Sequence, residues 1–239
     1  MRELLLVSTS TVHGTGYLDH AADEIRALFG SMVRRVLFVP YALADRDAYA
    51  AKASERFSAL GYGLESVHSM TNARAAVLAA EAVFIGGGNT FRLVRELQRQ
   101  GLIEPLRERA LGGMPYLGTS AGSNVACPTL KTTNDVPIVQ PESFETLGLV
   151  PFQLNPHFVD ADPRSTHMGE TRETRIAEFH EENATAVIGL REGAMLRVSG
   201  KTMQLRGTRG ARLFQRGKAP EELEVGADLS WLLAQGESV

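Results

Sequence analysis

"MPYLGTSAGSNVA", residues 114–126, is an apolar run, then a serine with a glycine two places away on each side, then a stretch of small residues. Read outward, it predicts a strand over 114–120, a tight turn at Ser120, and the start of a helix. Toward the N-terminus the same alternation recurs. "ELLLVS" (3–8) precedes a helical pattern through Ile25 and Leu28 that stops at Gly30. "RVLFVPYA" (35–42) precedes a helical pattern over 44–60. "LESVH" (64–68) leads to "NARAAVLAA" (72–80), and "AVFIGGG" (82–88) leads to "TFRLVRELQRQ" (90–100). Near-continuous apolar strands separated by helices point to an α/β fold, with a mostly parallel, doubly wound sheet covered on both faces.

Beyond residue 130 the rhythm changes. "TTNDVPIVQPESF" is polar and interrupted by proline, which predicts a loop with little regular structure. "FQLNPHF" (152–158) reads as a strand, "GETRETRIAEFHEE" (169–182) as a helix and "TAVIGLREG" (185–193) as a strand. Residues 194–217 alternate like antiparallel hairpins, a small antiparallel addition near the C-terminus, and the chain closes through "LSWLLAQ". With no repeat, low-complexity tract or linker, residues 1–239 are expected to form a single domain.

Composition narrows the function classes. The net charge of -3 gives no electrostatic reason to expect nucleic acid. Cys127 is the lone cysteine, so an intrachain disulfide is impossible and a reducing, cytoplasmic setting is expected. The apolar run in "MRELLLVSTS" is too short for a membrane span, and no other segment approaches that length, so no membrane partner is expected. No H-E-x-x-H and no paired Cys/His spacing is present, so neither a metal nor another cofactor is expected.

In a parallel sheet, sites gather where strands end and loops project. Three unusual segments meet that condition. "GTSAG" (118–122) fits the G-x-S-x-G turn that exposes a serine hydroxyl, with the Ala121 amide beside it as an oxyanion donor. The competing reading is a serine that merely caps its helix. "IGGGNTF" (85–91) allows close backbone approach, and Gly88 is a second oxyanion donor. Asn89 either binds substrate or caps the following helix.

A serine nucleophile needs a base. His20 and His180 lie in helical patterns beside charges and read as solvated; His68, His13 and His167 sit at a strand end or in polar loops. His157 follows a rigid Asn-Pro step at the end of an apolar strand, which suits it for that role. The orienting carboxylate is either Asp135 in "TTNDVP" or Glu192 in "LREG", and the sequence leaves that choice open. Asp160 and Asp162 lie less attractively close to His157 along the chain.

"GGGNTF" (86–91), "GTSAGSNVACPTLKTTNDVPI" (118–138), "NPHF" (155–158) and "GETRETRI" (169–176) together resemble the aspartyl dipeptidase, or peptidase E, family. The match runs in order over most of the chain, although 200–239 contributes little to it. The resemblance implies a fold related to class I glutamine amidotransferases, with serine in place of the usual cysteine nucleophile. It implies Ser120 as nucleophile and His157 as base. Asp135 falls in the motif often given the third role, while Glu192 matches a glutamate also proposed for it, with a weak preference for Asp135. It also places Arg172 in a substrate-binding motif, where an arginine fork could hold the β-carboxylate of an N-terminal aspartate; by charge alone Arg172 would read as a surface residue, as Arg175 does.

The implied activity is cytoplasmic, metal-independent hydrolysis of Asp-X dipeptides through an acyl-enzyme, with small peptides as partners and a homo-oligomer left open. The alternatives are a cyanophycinase-like peptidase or esterase on the same fold, and a non-catalytic domain that holds an anionic ligand.

Overall fold

The computed structural model describes residues 1–162, 164, 166 and 169–234. In chain order the elements are β1 (Glu3–Val7), α1 (Ala22–Phe29), β2 (Arg35–Val39), α2 (Arg46–Leu60), β3 (Gly63–Ser66), α3 (Ala73–Ala79), β4 (Ala82–Ile85), α4 (Thr90–Arg99), α5 (Ile103–Leu111), β5 (Tyr116–Thr119) and α6 (Ala121–Asn124). After a long irregular segment come β6 (Gln153–Phe158), α7 (Arg172–Glu182), β7 (Val187–Arg191), β8 (Ala194–Ser199), β9 (Thr202–Gly207), β10 (Ala211–Phe214), β11 (Glu221–Leu223) and α8 (Ser230–Ala234).

The main sheet has the order β3-β2-β4-β5-β1-β8-β9. Its first five strands are parallel, and β8 and β9 are antiparallel additions. The apolar runs are continuous because successive residues enter different cores. Leu4 and Leu6 of β1 pack with Val83 and Ile85 of β4 and with α3, α4 and α5 on one face. Leu5 and Val7 pack with Phe38, Phe84 and the inward residues of α1 and α2 on the other. Local signals fix the helix ends. Asp45 accepts the Ala48 N–H at the start of α2, and Asn89 accepts the Arg92 N–H at the start of α4.

The strands expected around His157 and Glu192 form, but in a second sheet of order β11-β10-β7-β6. Leu154, Ile188, Leu190 and Leu213 from this sheet join the core beneath the first face of the main sheet. The 194–217 region is correspondingly divided, with β8 and β9 extending the main sheet and β10 pairing with β7. Between α6 and β6 the chain has no helix or strand, as its prolines suggested, yet it is strapped down: Asn155 Nδ2 donates to Thr132 O and Asn134 Oδ1. Among the described residues no helix is long and apolar enough to cross a membrane.

Candidate active site

The turn at 118–122 works by close approach. A Cβ on Gly118 would lie 2.5 Å from the Gly122 carbonyl oxygen, and one on Gly122 would lie 2.0 Å from the Ile85 carbonyl oxygen. Ser120 between them adopts φ 51°, the left-handed region that non-glycine residues rarely enter. Its N–H donates to Val7 O at 3.0 Å, which ties the strained residue to the neighbouring strand. Ser120 occupies the N-cap position of α6, but its side chain makes no capping bond. Instead Ser120 Oγ lies 2.9 Å from His157 Nε2.

His157 is held in a comparable way. It too has a positive φ, 54°, and it sits where the β6–β7 register shifts between Pro156 and Phe158. The extra residue of such a bulge re-aims the side chain out of the ladder. The β6–β7 pairing places Phe158 opposite Arg191, so Glu192, next along the chain, comes beside the imidazole. His157 Nδ1 and Glu192 Oε1 are 2.7 Å apart. Glu192 stands where the chain leaves β7 in the second sheet and turns into β8 of the main sheet.

Asp135, the other carboxylate considered for this place, makes no hydrogen bond to His157. Its Oδ2 accepts from Thr90 N at 2.7 Å, Thr90 Oγ1 at 2.6 Å and Thr133 Oγ1 at 3.1 Å. The preference for Asp135 as the imidazole's partner is therefore corrected: the start of α4 captures that carboxylate, and Glu192 takes the position on Nδ1. Of the two readings of Asn89, the capping bond is the one that forms. Its Oδ1 caps α4 through the Arg92 N–H, and its Nδ2 donates to Val136 O, so both ends of the amide are engaged within the protein.

The glycine loop lies against the serine. A Cβ on Gly87 would be 3.0 Å from Ser120 Cβ, and Gly88, at φ 133°, passes so near Ala42 O that a Cβ would sit 2.7 Å from it. The Gly88 and Ala121 N–H groups find no acceptor among the described residues, so both are available to a ligand. A cleft of about 750 Å³ opens beside them, lined by Ser120, His157, Asp135 and Gly88 and also by Tyr17, Tyr49 and Lys52. Burial pushes the Tyr49 hydroxyl up, so it stays protonated. Sequence reasoning passed over these residues; for Thr9 and Ser10, which also line the cleft, "STST" directly after β1 was the available signal.

Arg172 begins α7 behind the Thr171 cap. Partial burial pulls its guanidinium down from the usual range, Arg175 adds to this, and the nearby Asp135 charge opposes it. Arg175 pairs with Glu170 at 3.4 Å, the surface partnership expected for it, whereas Arg172 has no ion pair among the described residues.

The other histidines divide. His68 lies between Ser66 Oγ and Asp47 Oδ1, and His180 Nε2 bonds to Thr185 O rather than facing water. His20 also departs from the solvated reading, because both ring nitrogens are buried and find no hydrogen-bond partner among the described residues. His167 lies outside the described residues. Cys127 is fully buried, which pushes its thiol well up and leaves it unreactive as a nucleophile.

The model of the peptidase family S51 matches residues 4–206. The chain belongs to peptidase family S51. It is 56% identical over 230 residues to the Streptomyces coelicolor protein named Peptidase E, covering 96% of this chain and 94% of that one. It is 47% identical to the Drosophila melanogaster protein named "Probable alpha-aspartyl dipeptidase", over 97% and 98% of the two chains. The crystal structure of a peptidase from an acI-B1 actinobacterium superposes with a TM-score of 0.71 at 18% identity, covering 96% of both chains, which supports the fold alone. This S51 chain is a serine peptidase, a hydrolase.

Proposed function

We propose that this S51 peptidase is an aspartyl dipeptidase in which Ser120 is the nucleophile, His157 the general base and Glu192 the orienting carboxylate. The observation that carries the reading is the unbroken chain from Ser120 Oγ to His157 Nε2, at 2.9 Å, and from His157 Nδ1 to Glu192, at 2.7 Å. His157 takes the serine proton as Oγ attacks the carbonyl of the first residue. Negative charge then develops on that carbonyl oxygen, and the Gly88 and Ala121 N–H groups, which have no acceptor among the described residues, are assigned to receive it. The protonated imidazole passes its proton to the leaving amine, and water, activated by the same base, releases the acyl group.

Selectivity for aspartate is attributed to Arg172. It is a partly buried cation with no ion pair among the described residues, close enough to Asp135 to feel its charge. Arg172 is not among the residues lining the cleft; the proposal is that its planar fork holds bidentately the β-carboxylate of a substrate seated there. The relatives named Peptidase E and alpha-aspartyl dipeptidase support the same substrate class. Cytoplasmic action as one domain fits a chain with a single, buried cysteine.

The test is kcat/KM for Asp-Leu, Asn-Leu, Leu-Leu and Glu-Leu, with wild type and with Arg172→Ala. Wild type should strongly favour Asp-Leu, and Glu-Leu should be poor because one more methylene displaces the scissile carbonyl from Ser120. Arg172→Ala should raise KM and erode the preference for Asp-Leu over Asn-Leu. An unchanged ratio in the variant removes Arg172 from the site.

A further inference from the structure

We propose that Asp135 binds the α-ammonium of the substrate's first residue, so that the site reads both charges of an N-terminal aspartate. This rests on the dipeptidase reading above and assigns Asp135 a binding role separate from the triad.

The carboxylate is used on one side only. All three of its protein donors, Thr90 N, Thr90 Oγ1 and Thr133 Oγ1, converge on Oδ2. Oδ1 has no donor among the described residues. Three bonds to one oxygen fix the orientation of the group and leave the other oxygen for a ligand. Position agrees with this. Asp135 lines the open cleft together with Ser120, His157 and Gly88, and also lines a small pocket of about 20 Å³ with Ser120, Ala121 and His157.

Covalent geometry of the substrate supplies the rest. An α-nitrogen lies about 2.5 Å from the carbonyl carbon of its own residue, because only Cα separates them. Once that carbon is seated over Ser120 Oγ, the ammonium must lie within a few ångströms of the serine. A cation brought there out of water needs a partner, and a charge-assisted hydrogen bond to a carboxylate is the strongest one a side chain can offer. Asp135 is the carboxylate that shares both cavities with Ser120. Arg172 lies near it but forms no ion pair with it, so the two charges remain available as a complementary pair for a zwitterionic residue. A purely architectural role, in which Asp135 only organises Thr90 and Thr133, would leave recognition of the amino group unaffected.

Binding separates this proposal from the catalytic reading, because it requires no turnover. Calorimetric Kd values for aspartate, succinate and N-acetyl-aspartate would be measured with wild type, Asp135→Asn and Thr133→Val. Succinate keeps both carboxylates and lacks the amino group; N-acetylation removes the charge. Wild type should prefer aspartate to either analogue by roughly tenfold or more. Asp135→Asn should abolish that preference while leaving the affinity for succinate unchanged or improved. Thr133→Val, which disturbs the same cluster and retains the charge, should keep the preference. Equal wild-type affinity for aspartate and N-acetyl-aspartate overturns the proposal even if Asp135→Asn does not fold. So does an undiminished preference in Asp135→Asn, or its complete loss in Thr133→Val. Failure of wild type to hydrolyse Asp-Leu while it still prefers aspartate in binding would count against the dipeptidase reading and in favour of the ammonium site.

Discussion

Ser8 holds His157 by its backbone: the His157 N–H donates to Ser8 Oγ over 3.0 Å. The same hydroxyl donates to Leu190 O at 2.8 Å, and Ser8 is fully buried at the carboxyl end of β1. One side chain of the main sheet therefore fastens both strands that carry the base and its carboxylate. Ser8→Ala would orphan a partly buried N–H and a buried carbonyl, at a cost of about 1–3 kcal/mol. It would also loosen a histidine whose φ depends on its surroundings. We expect a lower Tm and a lower kcat with KM little changed; thermal denaturation and steady-state kinetics on Asp-Leu check both.

Ser120→Ala and His157→Ala should each lower kcat by about a thousandfold or more, and the double variant by little beyond that, since they act as one unit. Near-normal turnover in either folded single variant would refute the assignment.

Neutralising Glu192 should slow turnover less than neutralising a buried triad carboxylate does. Its side chain is 52% exposed, so water screens its interaction with the imidazolium. Glu192→Gln is expected to reduce kcat by somewhere between about tenfold and a thousandfold, below the roughly ten-thousandfold of the buried case. Full activity in Glu192→Gln, measured above pH 8, would show that the carboxylate does not orient His157.

Gly122→Ala should be among the most damaging substitutions in the chain, because its Cβ would meet the Ile85 backbone at 2.0 Å. A loss of about 3 kcal/mol or more is expected, or no soluble protein. Gly14→Ala is the control. It has positive φ but open space around the missing Cβ, so only backbone strain of about 1 kcal/mol applies. Comparable denaturation midpoints for the two variants would contradict this account.

His20 makes stability depend on pH. Burial lowers its pKa, outweighing the opposing effects of the Thr9 backbone and Asp19. With the folded value below the unfolded one of about 6.5, its contribution is fully present above pH 6.5 and is lost as pH falls through the folded value. His20→Gln should therefore show a smaller drop in Tm between pH 7.5 and 5 than wild type. Parallel Tm-versus-pH curves would remove His20 from the account.

The main sheet was legible because its central strands, β1, β2, β4 and β5, are buried on two faces and so appear as apolar runs. The serine turn was legible because its residues form a local pattern, G-x-S-x-G after an apolar strand. Of its two glycines, only Gly118 is required by a neighbour in the turn, Gly122, while Gly122 is required by Ile85 of β4. The imidazole's partner was not. Asp135 and Glu192 are both loop carboxylates near apolar strands, and only the parallel pairing of β6 with β7 decides between them. That pairing belongs to a second sheet whose existence no local pattern marks. Helix α5 also escaped notice: Pro105 in its first turn is harmless where no N–H is needed, yet it reads as a break.

Ser120 is carried by one sheet, while His157 belongs to the other and Glu192 to the turn that joins them. Turnover therefore gauges the alignment of two sheets. A displacement of about 1 Å in catalytic geometry can cost a hundredfold in rate. Gentle heating or dilute urea that lets the sheets slip should silence the enzyme while its circular dichroism is still native. Activity would then be lost ahead of unfolding, and inactivation midpoints would measure the strength of the seam rather than that of either sheet.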